Sequence, residues 1–112
     1  MRWPALHDLK WTPAEKRAAR KAFDAAYEKE CRAVRAKVVQ MLEDPHDVRQ
    51  IWRIHDYLTE QRRDTDLKYD YRYSVPIFVF ATLLREGWLT EDELSGVGEN
   101  KIEMIKNAAS FE

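Results

Sequence analysis

The sequence predicts an all-α protein built as an elongated two-helix stalk carrying a small helical head. Three observations lead there. Residues 13 to 68 contain no glycine and, after Pro13 itself, one proline, Pro45, amid dense Ala, Glu, Lys and Arg. That composition favours long helices over strands. Thr12-Pro13-Ala14-Glu15 and Thr90-Glu91-Asp92-Glu93 both have the form of a capping box, with threonine at the N-cap and glutamate three residues on. Apolar residues between these signals recur at helical rather than strand spacing.

The first helix starts at Pro13, a residue suited to a first turn. It carries Ala19, Phe23, Ala26, Tyr27, Val34, Val38, Met41 and Leu42 as its apolar positions. If it runs to Glu43 it is about 45 Å long at ~1.5 Å per residue. A compact domain of this size has a radius of gyration of only about 13 Å. The first two helices are therefore expected to protrude as a hairpin. Asp44-Pro45 stops the first and caps the second, which is predicted from about Pro45 to Asp66. The stalk then covers about residues 12–67 and the head about 68–112, in a single domain.

A lone helical hairpin leaves apolar stripe uncovered, and a second copy of the chain is its most economical cover. A homodimer formed through the stalk is the expectation. In the head, Val75 to Leu84 is apolar almost all round, and its β-branched and aromatic content would also permit a buried strand. Helix prevails because Ser74 can cap it, Pro76 fits a first turn, and Arg85-Glu86-Gly87 reads as a helix end. The second capping box opens a short helix ending near Gly96. Glu99 to Ala109 supplies a last amphipathic helix through Ile102, Ile105 and Ala109.

Composition narrows the function classes. The 112 residues are 45% hydrophobic and 35% charged with a net charge of −1, which fits a folded domain and lacks the basic excess of a nucleic-acid binder. Cys31 is the single cysteine, so no intrachain disulfide can form and a reducing compartment is expected. The longest uncharged run, Tyr73 to Leu84, is too short for a bilayer, which needs about 20 apolar residues. The first residues, MRWPALHDLKW, lack the apolar core of a secretion signal. The expectation is a cytoplasmic protein with no transmembrane segment.

Most of the recognition signal lies in the second helix. Ile51, Ile54, Leu58, Gln61 and Thr65 form one stripe, the expected core side. Trp52, His55, Asp56, Thr59, Arg62, Arg63 and Asp66 form the neighbouring stripe. Tryptophan and arginine together are the composition of an interface hot spot, although an exposed face with one stray tryptophan has the same pattern. Asp56 and Arg62, about 120° apart round the helix, cannot pair well within it. They can meet across a two-fold axis, or Asp56 can meet Arg63 or water.

Enzyme readings find little support. The His55-Asp56 doublet suggests two metal ligands, but only His7 and His46 remain as further histidines, and no HExxH or CxxC motif occurs. Cys31 sits among charges off the apolar stripe and reads as a passive thiol. The corner Lys68-Tyr69-Asp70-Tyr71-Arg72-Tyr73 can either tie chain to head by tyrosine hydroxyls or present amphipathic rings to a partner. Lys16, Arg17, Arg20, Lys21, Lys29, Arg32, Arg35 and Lys37, interleaved with Asp24, Glu28 and Glu30, read as a solvated face of mixed sign. No catalytic residue, cofactor or metal is expected.

The chain resembles the fluorescence recovery protein family of cyanobacteria. The likeness is densest in Ile51-Trp52, His55-Asp56-Tyr57-Leu58, Arg62, Asp66 and Lys68-Tyr69-Asp70. It continues through Arg72-Tyr73-Ser74-Val75, Ile77-Phe78-Val79-Phe80-Ala81, Leu83-Leu84, Glu86-Gly87 and Glu93-Leu94. It extends more loosely through Trp11, Phe23, Ala26-Tyr27 and Glu30, and covers about Trp11 to Lys106. The resemblance implies a non-enzymatic regulator of photoprotection that dimerises through its stalk. Its implied partner is the photoactivated orange carotenoid protein, bound chiefly at that partner's C-terminal domain.

The family speeds that partner's return to the orange resting state and helps release it from the phycobilisome. The implied location is cytoplasmic, including a peripheral place at the thylakoid surface. No small-molecule substrate is implied. Residue by residue, the dimer and activity patch falls on Trp52, His55, Asp56 and Arg62, and a functional head phenylalanine falls on Phe78. Tyr71 and Tyr73 join Phe78 on the expected partner face. A basic residue near the C-terminus of at least one relative aligns with Met104 when no gap is placed, leaving Lys101 and Lys106 as nearby substitutes. Pro76 replaces a usual aliphatic residue. Relatives in bacteria without phycobilisomes make a dimeric helical adaptor for a different partner the alternative.

Overall fold

The computed structural model describes residues 10–69 and 76–110. The described residues form four α-helices and one 3₁₀ turn, with no strand. They are α1 (Pro13–Met41), α2 (Gln50–Lys68), α3 (Pro76–Glu86), the turn Asp92–Leu94 and α4 (Glu99–Ser110). The molecule measures 56 × 23 × 23 Å with a radius of gyration of 17.1 Å, so the elongation inferred from helix length is present. Tyr71 and Tyr73, together with His7, lie outside the described residues.

α1 opens as its sequence dictates. Thr12 Oγ1 accepts from the Glu15 N–H at 3.1 Å, and Glu15 Oε1 accepts from the Thr12 N–H at 2.9 Å. Two orphan donors are thereby satisfied at once. The far end differs from expectation. α1 stops at Met41 rather than Glu43, and α2 starts at Gln50 rather than near Pro45. Asp44 does not cap α2; its Oδ1 accepts the His46 N–H at 2.9 Å and closes a local turn. The Asp47 carbonyl then takes the Gln50 N–H at 3.2 Å, and the Asp47 carboxylate pairs with Arg53 across the first turn. A side-chain-capped turn outcompetes the helix over this polar run.

α3 confirms helix over strand, and its exit shows why. The Trp88 N–H reaches the Leu83 carbonyl at 3.0 Å and the Gly87 N–H reaches that of Leu84 at 3.2 Å. Gly87 itself has φ +85°. This is a Schellman closure with glycine in the left-handed position it requires. The second capping box forms only in part. Glu93 Oε1 accepts the Thr90 N–H at 2.9 Å, but the element that follows is the three-residue 3₁₀ turn rather than a longer helix.

The core combines α3, α4 and their connection with the first half of α1. Ala19, Ala22, Phe23 and Ala26 of α1 pack with Ile77, Phe80 and Leu83 of α3, Leu94 and Val97 of the connection, and Ile105 of α4. The alanine face lets the head approach closely. A Cβ placed on Gly96 would stand 2.7 Å from the Ala18 Cβ. α2 contributes far less: its only buried side chain is Ile54.

Gly98 offers a direct test of this docking. Its φ is +110°, and a Cβ there would strike the Glu15 carboxylate, which the Thr12 N–H and Lys101 already hold. Gly98→Ala is expected to cost about 1–3 kcal/mol, from left-handed backbone strain plus that collision. Gly87→Ala meets no atom within 4 Å and should cost about 1 kcal/mol, the backbone share alone. Equilibrium urea unfolding of the two variants checks the order.

Candidate functional site

The stalk patch is laid out along α2. Glycine-free and unbroken, the helix brings Trp52, His55, Asp56 and Arg62 to a solvent-facing side, each of them exposed. Trp52 is 68% accessible. Its ring meets the His55 ring edge-on, with centroids 6.5 Å apart. His55 Nδ1 stands 3.4 Å from Asp56 Oδ1. Arg62 donates from Nε to both Asp66 oxygens at 3.2 and 3.0 Å. Among the described residues Asp56 forms no ion pair with Arg62 or Arg63, so within one chain its carboxylate faces outward.

Ile51 and Leu58 lie on the stripe whose period predicts a core side, yet both are exposed, as are Tyr27, Val39 and Leu42. Between Tyr27, Cys31 and Val34 of α1 and Leu58, Arg62 and Thr65 of α2 lies an open groove of about 260 Å³. The Cys31 thiol is free and exposed on its wall. Among the described residues no group of three or more His, Cys, Asp or Glu side chains is arranged to hold a metal ion. No helix of the described residues is long and apolar enough to cross a membrane.

The head residues divide. Phe78 is 55% exposed although Ile77, Val79 and Phe80 around it are buried. Lys106 lies at the surface and pairs with Glu91 at 3.3 Å. Lys101 does not reach the surface expected of it. It is 3% exposed, donates to Glu15 Oε1 at 3.1 Å and lies 4.9 Å from the centre of the Trp11 ring. The period of α4 places Lys101 with Met104 and Ile105 on the inward face, and the capped Glu15 supplies the counter-charge that makes this tolerable. The Thr12 N–H and then Lys101 hold the Glu15 carboxyl below its ordinary value.

A polar hub at the stalk–head joint was not legible as such. Glu30, read as part of a solvated charged face, is only 6% exposed. Its Oε2 accepts from Lys68 Nζ at 2.5 Å and its Oε1 from the Tyr69 hydroxyl at 2.9 Å. Lys68 also donates to Glu86 Oε1 at 2.7 Å, which accepts from Trp88 Nε1 at 3.0 Å. The Tyr69 ring meets Phe23 and Tyr27 edge-on at 5.2 and 5.1 Å. The signal that could have revealed the hub is periodic. Glu30 continues the series Ala19, Phe23, Ala26 on the buried side of α1, where a carboxylate demands partners.

The hub sets a pH dependence. Burial pulls the Lys68 ammonium down, but its bonds to Glu30 and Glu86 outweigh this and raise it above the ordinary 10.5. Burial, then the bond to Glu30, lifts the Tyr69 phenol far above 10.0. Both folded values exceed the unfolded ones, so their contribution is complete below about pH 10 and is lost as pH rises further. An alkaline titration followed by phenolate absorbance is expected to show the Tyr69 step only together with unfolding. Tyr69→Phe should lack that step.

The comparisons with known proteins agree with this geometry. Residues 11–109 match the family described as photoprotection regulator fluorescence recovery protein. The chain is 37% identical over 99 residues to the fluorescence recovery protein of Synechocystis sp. PCC 6803, covering 88% of this chain and 91% of that protein. It superposes on the solved structure of the Fremyella diplosiphon fluorescence recovery protein with a TM-score of 0.80 at 40% identity, covering 89% of this chain and 98% of that one. The solved Synechocystis structure gives a TM-score of 0.80 at 37% identity over the same shares. These relationships define a class first: an all-helical regulator of photoprotection, not an enzyme. Within that class, the chain belongs to the fluorescence recovery protein family.

Proposed function

We propose that this protein binds the photoactivated orange carotenoid protein, chiefly at its C-terminal domain, and accelerates its return to the orange resting state. It thereby promotes release of that partner from the phycobilisome, acting in the cytoplasm and peripherally at the thylakoid surface. It works as a homodimer joined through the stalk. The observation that carries this is the uncovered stalk: α2 buries only Ile54 while Ile51, Trp52, Leu58 and Leu67 are exposed. A 19-residue helix with so little burial gains little of the tertiary packing on which helices in water depend, and a second copy provides it.

Trp52, His55, Asp56 and Arg62 then serve the dimer and its activity, with Asp56 free to pair across the two-fold axis. Phe78, Tyr71, Tyr73 and Lys106 serve the partner face; Lys101 is withdrawn from that role by its burial. Acceleration needs no bond chemistry. A factor that holds the barrier state more tightly than the active state speeds relaxation about tenfold for every ~1.36 kcal/mol of difference.

The decisive measurement is the decay of the red form of an orange carotenoid protein after blue light, with and without this protein. Faster decay is expected, and an unchanged rate overturns the reading. A second reading, a dimeric adaptor of the same family acting on a different bacterial partner, draws on the head: Lys101 is buried, and so is Met104, which aligns without a gap with a basic residue of at least one relative. Unchanged decay with an intact dimer would select it.

A further inference from the structure

α2 carries the stalk patch and α3 carries Phe78, and the joint where α2 ends fixes one relative to the other. α1 and the head form one body without help from α2. Lys29 bonds both Glu93 oxygens at 2.9 Å, Lys101 bonds Glu15 at 3.1 Å, and Gly96 lies against Ala18. α2 is fastened otherwise: by Ile54 near its start, and by Lys68 and Tyr69 at its end. There a single carboxylate, Glu30, takes a bond from each of two successive residues. The same Lys68 ammonium reaches Glu86 at the end of α3.

These side chains are nearly dry, Glu30 at 8% and Lys68 at 12% accessible. Buried pairs of this kind add little net stability over apolar residues of the same volume, whereas their bonds have direction. Apolar packing alone would let the helix end slide; three directed bonds to one ammonium and one carboxylate do not.

We propose that Glu30 is a positioning residue: by gripping Lys68 and Tyr69 together it fixes the stalk patch of α2, which seats the second copy, and the Phe78 face of α3 in the one relative geometry at which the paired stalk presents that face to the partner. This rests on the two-surface reading above, and it assigns the hub a role in activity distinct from its role in folding.

The test separates the two roles with two variants. Glu30→Gln removes the charge that grips Lys68. The triple variant E30L/K68M/Y69F replaces the whole grip by apolar groups and leaves no buried charge unpaired, so it is expected to unfold at or above the native midpoint. Spin labels at Glu60→Cys on α2 and Asn107→Cys on α4, in a Cys31→Ser background and diluted with unlabelled chain, report the distance within one molecule. The native distribution is expected to be narrow and both variants broad. With light scattering unchanged, recovery of the orange carotenoid protein should be accelerated about tenfold less by the triple variant.

A triple variant with a native, narrow distance overturns the proposal, because the hub then contributes stability alone. So does a broad distance with full acceleration, since position would not matter to activity. Failure of the partner reading shows separately, in a native protein that leaves recovery unchanged; the functional half of the proposal falls with it, while the distances still decide whether Glu30 fixes α2.

Discussion

Trp52→Ala is expected to convert the proposed stalk dimer into monomers over the concentration range in which the native protein is expected to stay paired. A 68% accessible tryptophan on a helix that buries only Ile54 presents a large apolar area that the described residues of its own chain leave mostly uncovered. In a two-fold interface each residue acts twice, once from each copy. A hot-spot tryptophan is worth at least about 2 kcal/mol on truncation, so two copies remove about 4 kcal/mol. Every ~1.4 kcal/mol is tenfold, giving a Kd weaker by about a thousandfold.

Light scattering across a dilution series reads this directly, and circular dichroism should show any loss of helix confined to the share of α2, because α1 and the head are held by contacts of their own. A Trp52→Ala dimer that resists dilution as the native one does would move the interface elsewhere on the stalk. Asp56→Ala should weaken the dimer less. Its side chain is 83% exposed in the single chain, and its value depends on a cross-axis partner.

What the sequence displayed and what it concealed follow from the range of the forces involved. Local signals were legible. The Thr12–Glu15 box and the Gly87 exit each act within one helical turn, and each forms as expected. The elongation followed from helix length alone. The start of α2 was misplaced because Asp44 had two local options, and its bond to the His46 N–H won over a helix cap.

Charges were the hardest to place. Glu30 and Lys101 lie in segments rich in charge, and a charged residue is exposed by default. Each is buried only because a counter-charge arrives from far along the chain: Lys68 for Glu30, 38 residues away, and Glu15 for Lys101, 86 residues away. No local pattern encodes such a meeting. Ile51 and Leu58 show the opposite effect. Period marks them as core, yet the described residues of one chain leave both exposed, and the proposed second copy would complete the cover that the stripe encodes.

Phe80→Ala is expected to unfold the head at temperatures the native protein tolerates, while Phe78→Ala leaves stability nearly untouched. The two phenylalanines are two residues apart on α3, hence about 200° apart round the helix. Phe80 is fully buried in the cluster that joins α1, α3 and α4. Its truncation removes the transfer energy of the ring and leaves a cavity in a packed interior, together about 3–5 kcal/mol. For a chain of this size that lowers the midpoint by well over 10 °C at ~4–8 °C per kcal/mol. Phe78 points the other way and is 55% exposed, so its loss should cost under about 0.5 kcal/mol. Its effect should appear instead in partner recovery, with the melting curve unchanged. If Phe78→Ala melted as early as Phe80→Ala, the outer face of α3 would be a packing surface and not a contact surface. The pair therefore separates fold from function within one helical turn, using the same substitution at both sites.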